Sequence, residues 1–465
     1  MKLKTNVPEF YNDISESIRA FLEVDVIELS DEGEVSLFES VEDGKIIAKA
    51  DFNGVFGEYS EKVTQDEVSL KRIKKHSAKL AMYDALKKAT GRNLPWGSLT
   101  GIRPTKLLRD NFLDIELLNK KYDLPVEKGQ LLKRIIKNQE QFFVPENDEL
   151  DIYIGIPFCK TRCTYCSFSS TDSTKGEKLM IPYVDALIKE IEDTSKLLKT
   201  LNKKVRCLYI GGGTPTALTE ELFDKMLKCT TMHFKPYMEF TVEAGRPDTI
   251  TERKLLTMKE AGVTRISINP QSMNAETLKK IGRSHSPEEI EECFSLARKI
   301  GFDTINADLI AGLSDETSEM FFYTLEKVLN LKAENITVHT LALKRGSKMF
   351  EENSATANVE DVQKMVEGAQ KILIENSYEP YYLYRQKYMT GNFENIGYTK
   401  KGHTGVYNID IMEETTDIIA LGCGAVSKRV LGERIERAFN FKSIYEYINR
   451  IDEANSRKIQ LFSSI

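Results

Sequence analysis

Between residues 150 and 340 the chain alternates short apolar runs with longer helix-like segments, six times over. The short runs fall at 151–156, 205–210, 239–243, 265–268, 304–309 and 335–340. The segments between them, at 184–201, 220–230, 252–261, 287–300 and 316–329, read as helices. Consecutive parallel strands need a crossover of about this length, so the rhythm implies a parallel sheet or barrel. Six repeats, not eight, predict an α/β fold built on a partial (β/α)6 barrel, placed at 149–358.

The flanks differ in pattern. Residues 1–148 hold three β-like runs, VDVIEL, EVSLFES and KIIAKADF, with SDEG and EDGK read as hairpin turns. A helix follows over 66–90, with Val68, Ala78, Leu80, Ala81, Ala85 and Leu86 apolar and Gly91 as its stop. Further helices are expected at 105–111 and 127–142, and VPENDEL reads as a linker. The expectation is a small N-terminal α+β domain. Residues 359–465 open with a helix to about 376 and then turn rich in Tyr, Gly and Asn. They read as a C-terminal extension whose strands and loops complete one side of the barrel. Tyr381, Tyr382, Tyr384, Tyr388 and Tyr398 suit a flat aromatic ligand, with Arg385 and Lys387 as carboxylate partners. Strand-edge packing explains the same tyrosines equally well.

In α/β barrels the chemistry gathers at the C-terminal ends of the strands. The first strand here runs into YIGIPFCKTRCTYCSFSS, which places Cys159, Cys163 and Cys166 in a C-x3-C-x2-C spacing. A [4Fe–4S] cluster has four irons that each want a ligand. Three thiolates leave one iron open to bind something else. A structural zinc site prefers four ligands, commonly in two separated pairs, and no fourth Cys or His lies nearby. A zinc or redox module is therefore the lesser reading. Cys207, Cys229, Cys293 and Cys423 are scattered and read as buried small apolar residues. Seven cysteines, an odd number, fit a reducing cytoplasm.

The other strand ends carry GGGTPT at 211–216, Glu243, NPQS with Gln271, Asp308 and His339. Each alone is explained by a turn or a helix cap; six together are not. The glycines let backbone approach a ligand and offer bare amide groups to it. No Gly-Lys-Ser/Thr follows, so this is not a Walker loop. Glu243 can accept from a ribose hydroxyl pair, and Gln271 and Asp308 add polar contacts. Arg283, in IGRSHS, either holds a carboxylate bidentately or is a surface arginine. His285 and His339 read as structural. A net charge of −6 gives no footprint for nucleic acid. No apolar run approaches a membrane span, and MKLKTNVPEFYND lacks the core of a signal peptide.

As a set, these motifs resemble the radical S-adenosylmethionine superfamily, and more narrowly the oxygen-independent coproporphyrinogen III oxidase family. The matching segments are IPFC at 156–159, GGGTP at 211–215, QS at 271–272, IGR at 281–283, DLIAGL at 308–313 and GCGAVS at 422–427. LPWGSLTGIRPTKLL and YYLYRQKYMTGNFENIGY resemble the subgroup often called coproporphyrinogen dehydrogenase, which has an added N-terminal domain. The resemblance implies that Cys159, Cys163 and Cys166 hold a [4Fe–4S] cluster whose open iron S-adenosyl-L-methionine chelates. It implies that Tyr153 lies beside the methionine part, Tyr165 beside adenine, and Gly212, Gly213 and Thr214 around the amino group. Glu243, Gln271, Arg283 and Asp308 match ribose and carboxylate contacts. The implied activity is oxidative decarboxylation of coproporphyrinogen III propionates to vinyl groups, giving protoporphyrinogen IX. A low-potential donor such as flavodoxin or ferredoxin would supply electrons. Three departures stand out: Phe168 where the decarboxylating enzymes carry a further Cys, Gly155 where the family has His, and few residues after Ser427. Haem chaperones and anaerobic haem-degrading methyltransferases resemble this chain in lacking that Cys. A haem-binding chaperone, or another radical reaction on a tetrapyrrole such as methyl transfer with ring opening, are thus alternatives.

Overall fold

The computed structural model describes residues 1–463 except 23, 25, 101–102, 144–147, 169, 175, 355, 387–388 and 433. Lys387, Tyr388, the Val68 side chain and most of VPENDEL lie outside the described residues. The chain divides into two compact units. The first is Met1–Lys133 with Arg385, Gln386 and Gly391–Phe393; the remainder forms the second.

The first unit is a five-stranded sheet backed by two helices. Its strands are β1 (Lys2–Thr5), β2 (Glu28–Leu29), β3 (Val35–Glu42), β4 (Lys45–Phe52) and β5 (Val55–Lys62), in the order β2-β1-β3-β4-β5. Helices Tyr11–Phe21 and Glu67–Thr90 bury Ile14, Ile18, Ala78, Ala81 and Ala85 against it. Asp66 accepts from the Ser69 amide at 2.8 Å to start the long helix, and Gly91 ends it in the left-handed region, as the sequence implies.

Two expectations for this unit fail. VDVIEL contributes only the two exposed residues of β2, which pair in parallel with β1, so SDEG closes no hairpin. The strand β5 went unread, although Asn53-Gly54, at φ +52° and +84°, makes the two-residue turn that favours a hairpin. Arg385 is not a free carboxylate partner either. It is buried, donates to the carbonyls of Leu99 (2.6 Å) and Asn392 (2.9 Å), and lies over the Trp96 ring.

The second unit is built on an 11-stranded sheet. Six strands are parallel and adjacent: β6 (Glu149–Ile156), β9 (Lys204–Gly212), β10 (Glu239–Gly245), β11 (Arg265–Ile268), β12 (Ile305–Ala311) and β13 (Asn335–Thr340). Their crossovers are Glu177–Leu201, Glu220–His233, Glu252–Glu260, Pro287–Ile300 and Ser318–Asn330. Thr219, Thr251, Ser286 and Thr317 cap four of these helices through their hydroxyls. The first crossover begins before Pro182 and runs through it, where the sequence reading began after it.

The expectation that the tail closes one side of the barrel is corrected: it flanks both. β14 (Glu379–Tyr384) and β15 (Asn395–Thr399) run antiparallel beyond β13. β16 (Asp417–Leu421) pairs in parallel with β6 at the other edge, followed by β17 (Val426–Leu431) and β18 (Arg434–Phe439). A short ribbon, β7 (Phe158–Cys159) with β8 (Thr171–Asp172), completes the strands of the described residues. The sheet is open, which makes the architecture an α/β partial barrel.

The helix Val406–Glu413 plugs the end from which the parallel strands start. Its first amide donates to Glu239 Oε2 at 2.6 Å, and Asp410 takes the Arg206 guanidinium at 3.0 Å. Asp410 also lies beside the buried Asp151 and Cys207. Burial and the neighbouring Asp410 push the Asp151 carboxyl well up. Cys207 and Cys293 are buried, as read from the sequence, while Cys229 and Cys423 are half-buried. Among the described residues, no helix is long and apolar enough to cross a membrane.

Candidate active site

The cysteine loop leaves the end of β6 and is fastened at both ends. Phe158 and Cys159 pair with Thr171 and Asp172, and the Ser173 amide donates to the Cys159 carbonyl at 2.8 Å. The segment carrying IGR grips its middle: the Thr164 amide donates to the Ile281 carbonyl at 3.0 Å, and the Thr161 hydroxyl to Gly282 at 2.7 Å. Cys159, Cys163 and Cys166 are free thiols and only partly buried. Burial pushes the Cys159 and Cys166 thiols up. A bound metal ion reverses that balance, since coordinating thiols are deprotonated outright.

The glycine turn at the end of β9 abuts this loop. Gly212 is at φ +105°, and a Cβ on Gly213 would lie 2.7 Å from the Phe158 carbonyl oxygen and 2.9 Å from Cys159 Sγ. Thr214 is buried, with its hydroxyl 3.6 Å from Cys159 Sγ. The GGGT run therefore delivers bare backbone to the thiols.

The remaining expected residues fall at neighbouring strand ends. Glu243 lies two residues before the end of β10 and accepts from the Tyr209 hydroxyl at 2.5 Å. Burial pushes its carboxyl up to about 7, and the nearby Asp308 adds to that. On β12, burial also works against an ionised Asp308, but His339, Asn306 and Thr337 outweigh it and hold the carboxyl below its usual range. Gln271 takes a left-handed φ of +65°, with its amide on the Asp308 carbonyl at 2.9 Å. Arg283 is buried; it donates to the Asn269 carbonyl at 2.6 Å and contacts the Tyr165 hydroxyl at 3.4 Å. Tyr153 stacks with Tyr209, and Tyr209 with Tyr407 at 4.5 Å between centroids. Tyr165, Gly212, Gly213, Thr214, Glu243, Gln271, Arg283 and Asp308 thus belong to the end of the barrel where the cysteine loop begins, whereas Tyr153 sits in the middle of β6 with its ring stacked against Tyr209 and against Tyr407 of the plugging helix.

This arrangement fits the implied groups. Gln271 Oε1, Asn269 Oδ1 and Arg283 Nε are buried with no hydrogen-bond partner among the described residues. Two acceptors and one donor left orphaned at such cost suit a polar ligand carrying hydroxyl, amino and carboxylate groups. The three unpaired thiols beside a glycine cradle suit an iron–sulfur cluster with one open iron.

Sequence reading missed one member of the site, Arg246, and took another, His339, as structural. Arg246 clamps Asp248 through both guanidinium ends at 3.0 Å. It also donates to the Thr161 carbonyl at 2.9 Å and reaches within 3.8 Å of Cys163 Sγ. Burial pushes Asp248 up, yet Arg246 and Ser284 outweigh it and hold the carboxyl down to about 2. The signal was GRPD, directly after the third strand end. His339, read as structural, lies 3.1 Å from the Tyr384 hydroxyl and 3.7 Å from Asp308. It thereby links Tyr384 of β14 to Asp308; the sequence marked its position at a strand end but not this role.

Comparison with known proteins agrees with this fold. Residues 153–328 match the Radical SAM superfamily. The oxygen-independent coproporphyrinogen-III oxidase-like protein HemZ of Bacillus subtilis is 40% identical over 425 residues, covering 88% of this chain and 84% of that protein. The heme chaperone HemW of the same organism is 37% identical over 194 residues, 41% of this chain and 49% of HemW. The solved structure of coproporphyrinogen III oxidase (HemN) from Escherichia coli superposes with a TM-score of 0.54. It is 23% identical and covers 69% of this chain and 72% of that one, which supports the fold. With its barrel, its strand-end residues and a relative this similar along most of both lengths, the chain belongs to the oxygen-independent coproporphyrinogen III oxidase family of radical S-adenosylmethionine proteins.

Proposed function

We propose that the chain catalyses a radical S-adenosylmethionine reaction on a tetrapyrrole: oxidative decarboxylation of coproporphyrinogen III propionates to vinyl groups. The observation that carries this reading is the glycine cradle pressed on three free thiols, ringed by orphaned polar atoms of Gln271, Asn269 and Arg283. When bound, the [4Fe–4S] cluster and S-adenosylmethionine supply a carbon-centred radical able to take hydrogen from an unactivated carbon.

The chain's own residues hold, orient and shield. Cys159, Cys163 and Cys166 are the cluster ligands, with Arg246 fixing the loop that carries them. Backbone of Gly212 and Gly213, with Thr214, receives the amino-acid head. Arg283 and Gln271 bring charge and an amide to the carboxylate and ribose. Glu243 and Asp308 accept from ribose hydroxyls; a hydroxyl donor favours the ionised form of Glu243 against the effect of burial. Tyr153 and Tyr165 pack against the cofactor, and Tyr384 of β14, beside His339, flanks a flat substrate, while Tyr381 and Tyr382 are buried in the core. A low-potential carrier such as flavodoxin or ferredoxin supplies the electron, and the work belongs in the cytoplasm, where thiols stay reduced. Residues 149–358 carry the cofactor chemistry in this reading, and 359–465 supply the substrate side.

The HemW similarity and Phe168 in the cysteine loop favour a second reading, a haem-carrying chaperone on the same scaffold. One anaerobic incubation separates them. The iron-loaded chain is given reductant, S-adenosylmethionine and coproporphyrinogen III. Vinyl products with 5′-deoxyadenosine support decarboxylation. Tight haem binding without vinyl product supports the chaperone, and S-adenosylhomocysteine alongside 5′-deoxyadenosine points to methyl transfer.

A further inference from the structure

The cysteine loop, 159–168, contains Lys160 and Arg162 and no carboxylate. The segment that follows β13, 341–350, contains Lys344, Arg345 and Lys348 and no carboxylate. These segments lie together: the Met349 amide donates to the Thr164 carbonyl at 3.0 Å, and the Arg162 guanidinium donates to Gly346. They form one basic rim on a chain whose net charge is −6. Four of its five cations face water, Lys344 being half-buried. Arg162 and Arg345 are exposed, and the Lys160 and Lys348 side chains are 46% and 62% accessible. Two acids at its edges offset part of this charge. Asp248 lies 3.8 Å from Lys160 but is turned inward onto Arg246 with 5% of its side chain accessible, and Glu352 lies 3.5 Å from Lys348. On the same loop Phe168, two residues past Cys166, is 66% exposed.

We propose that this rim is the docking surface for an acidic one-electron carrier protein. The inference rests on the reading that the three cysteines hold a cluster. Surface charges of one sign raise the encounter rate with an oppositely charged partner more than they raise affinity. That suits a carrier that must arrive, give up one electron and leave. The exposed Phe168 offers an apolar anchor inside the charged ring. The partly exposed thiols put the electron's destination directly beneath the contact. One electron leaves the carrier and one enters the cluster; no bond is made or broken.

The test uses the full chain loaded with iron and sulfide, with reduced flavodoxin as the probe, and follows bleaching of the cluster absorbance. The bimolecular rate should fall steeply with added salt in the natural chain. In R345E/K348E it should be lower by about tenfold or more at low salt and nearly salt-independent. The milder R345Q should fall between, which guards against loop distortion. Dithionite should reduce the natural chain and every variant to the same extent. An unchanged flavodoxin rate, or an unchanged salt dependence, in R345E/K348E overturns the proposal. If that happens while dithionite still drives cleavage of S-adenosylmethionine, the docking surface alone is wrong. If no iron is taken up by the natural chain, the cluster reading fails and the docking proposal with it.

Discussion

At Gly213 there is no room for a methyl group. The contacts a Cβ would make are to the Phe158 and Ile156 carbonyl oxygens, which cannot swing aside, and to the Cys159 thiol. Gly213→Ala should therefore push the cysteine loop off its seat, at a cost of about 1–3 kcal/mol. The expected signs are a lower melting temperature and less iron per chain after reconstitution; a variant with full iron and natural stability would refute the cradle. Glu243 gives a prediction in pH. Its carboxyl rises from an ordinary 4.5 to about 7 on folding, because it is buried. Between those values the folded chain holds a proton that the unfolded chain has lost, so stability falls as pH rises through that window. Glu243→Gln should flatten this fall in the cofactor-free protein, as read from melting temperatures across the range. At this scale the cysteines, Gly212 and Gly213 were legible because spacing and special residue types mark them, while the residues alone left Arg283 open between a carboxylate holder and a surface arginine. Tyr209 and Arg246 were not. They act through contacts 34 and 85 residues away in sequence; GRPD marks the position of Arg246 but not its partner in the cysteine loop, and nothing local marks Tyr209.

Among the elements, the segment 422–427 shows how a motif can serve the fold as much as the ligand. Gly422, at φ +96°, would place a Cβ 2.2 Å from the Gly155 carbonyl oxygen, so it lets β16 close on the strand that launches the cysteine loop. Its amide donates to the buried Glu190 at 2.8 Å. Glu190 also accepts from Asn440 at 2.7 Å, Tyr447 at 2.5 Å and the Lys458 ammonium. Glu190→Ala strands Lys458 in the core and should cost about 3–5 kcal/mol in urea unfolding. Adding Lys458→Met should recover part of that loss; no recovery would show that the ion pair is not the source. The parallel strands were readable because each is a short apolar run bounded by polar turns, and β11 and β13 match their expected limits. The strands β1 and β5 were not, since KLKT and VFGEYSEK mix charge into every turn of the pattern and bury only single positions. The helix Glu177–Leu201 was cut short because a proline normally breaks one.

On the scale of the whole molecule, the two compact units differ in what reports on them. The single tryptophan, Trp96, is fully buried in the first unit, beneath Lys128 and Arg385. Its fluorescence should follow that unit, while far-UV circular dichroism follows the larger one. Ligands stabilise only the unit that binds them. S-adenosylmethionine added to the iron-loaded chain should therefore raise the dichroism midpoint and leave the tryptophan midpoint in place; a common shift would mean the two unfold as one.

The pairing of β16 with β6 also bears on synthesis. β6 lies near residue 150, yet its outer neighbour ends at Leu421. While the chain is being made, β6 can pair with β9 early, but its other side stays an open edge until nearly the entire polypeptide has emerged. A ribosome stalled before residue 417 would present a bare strand beside three unligated thiols. For this protein the hazardous interval comes before the last strands are made, and metal loading has its finished seat only after them.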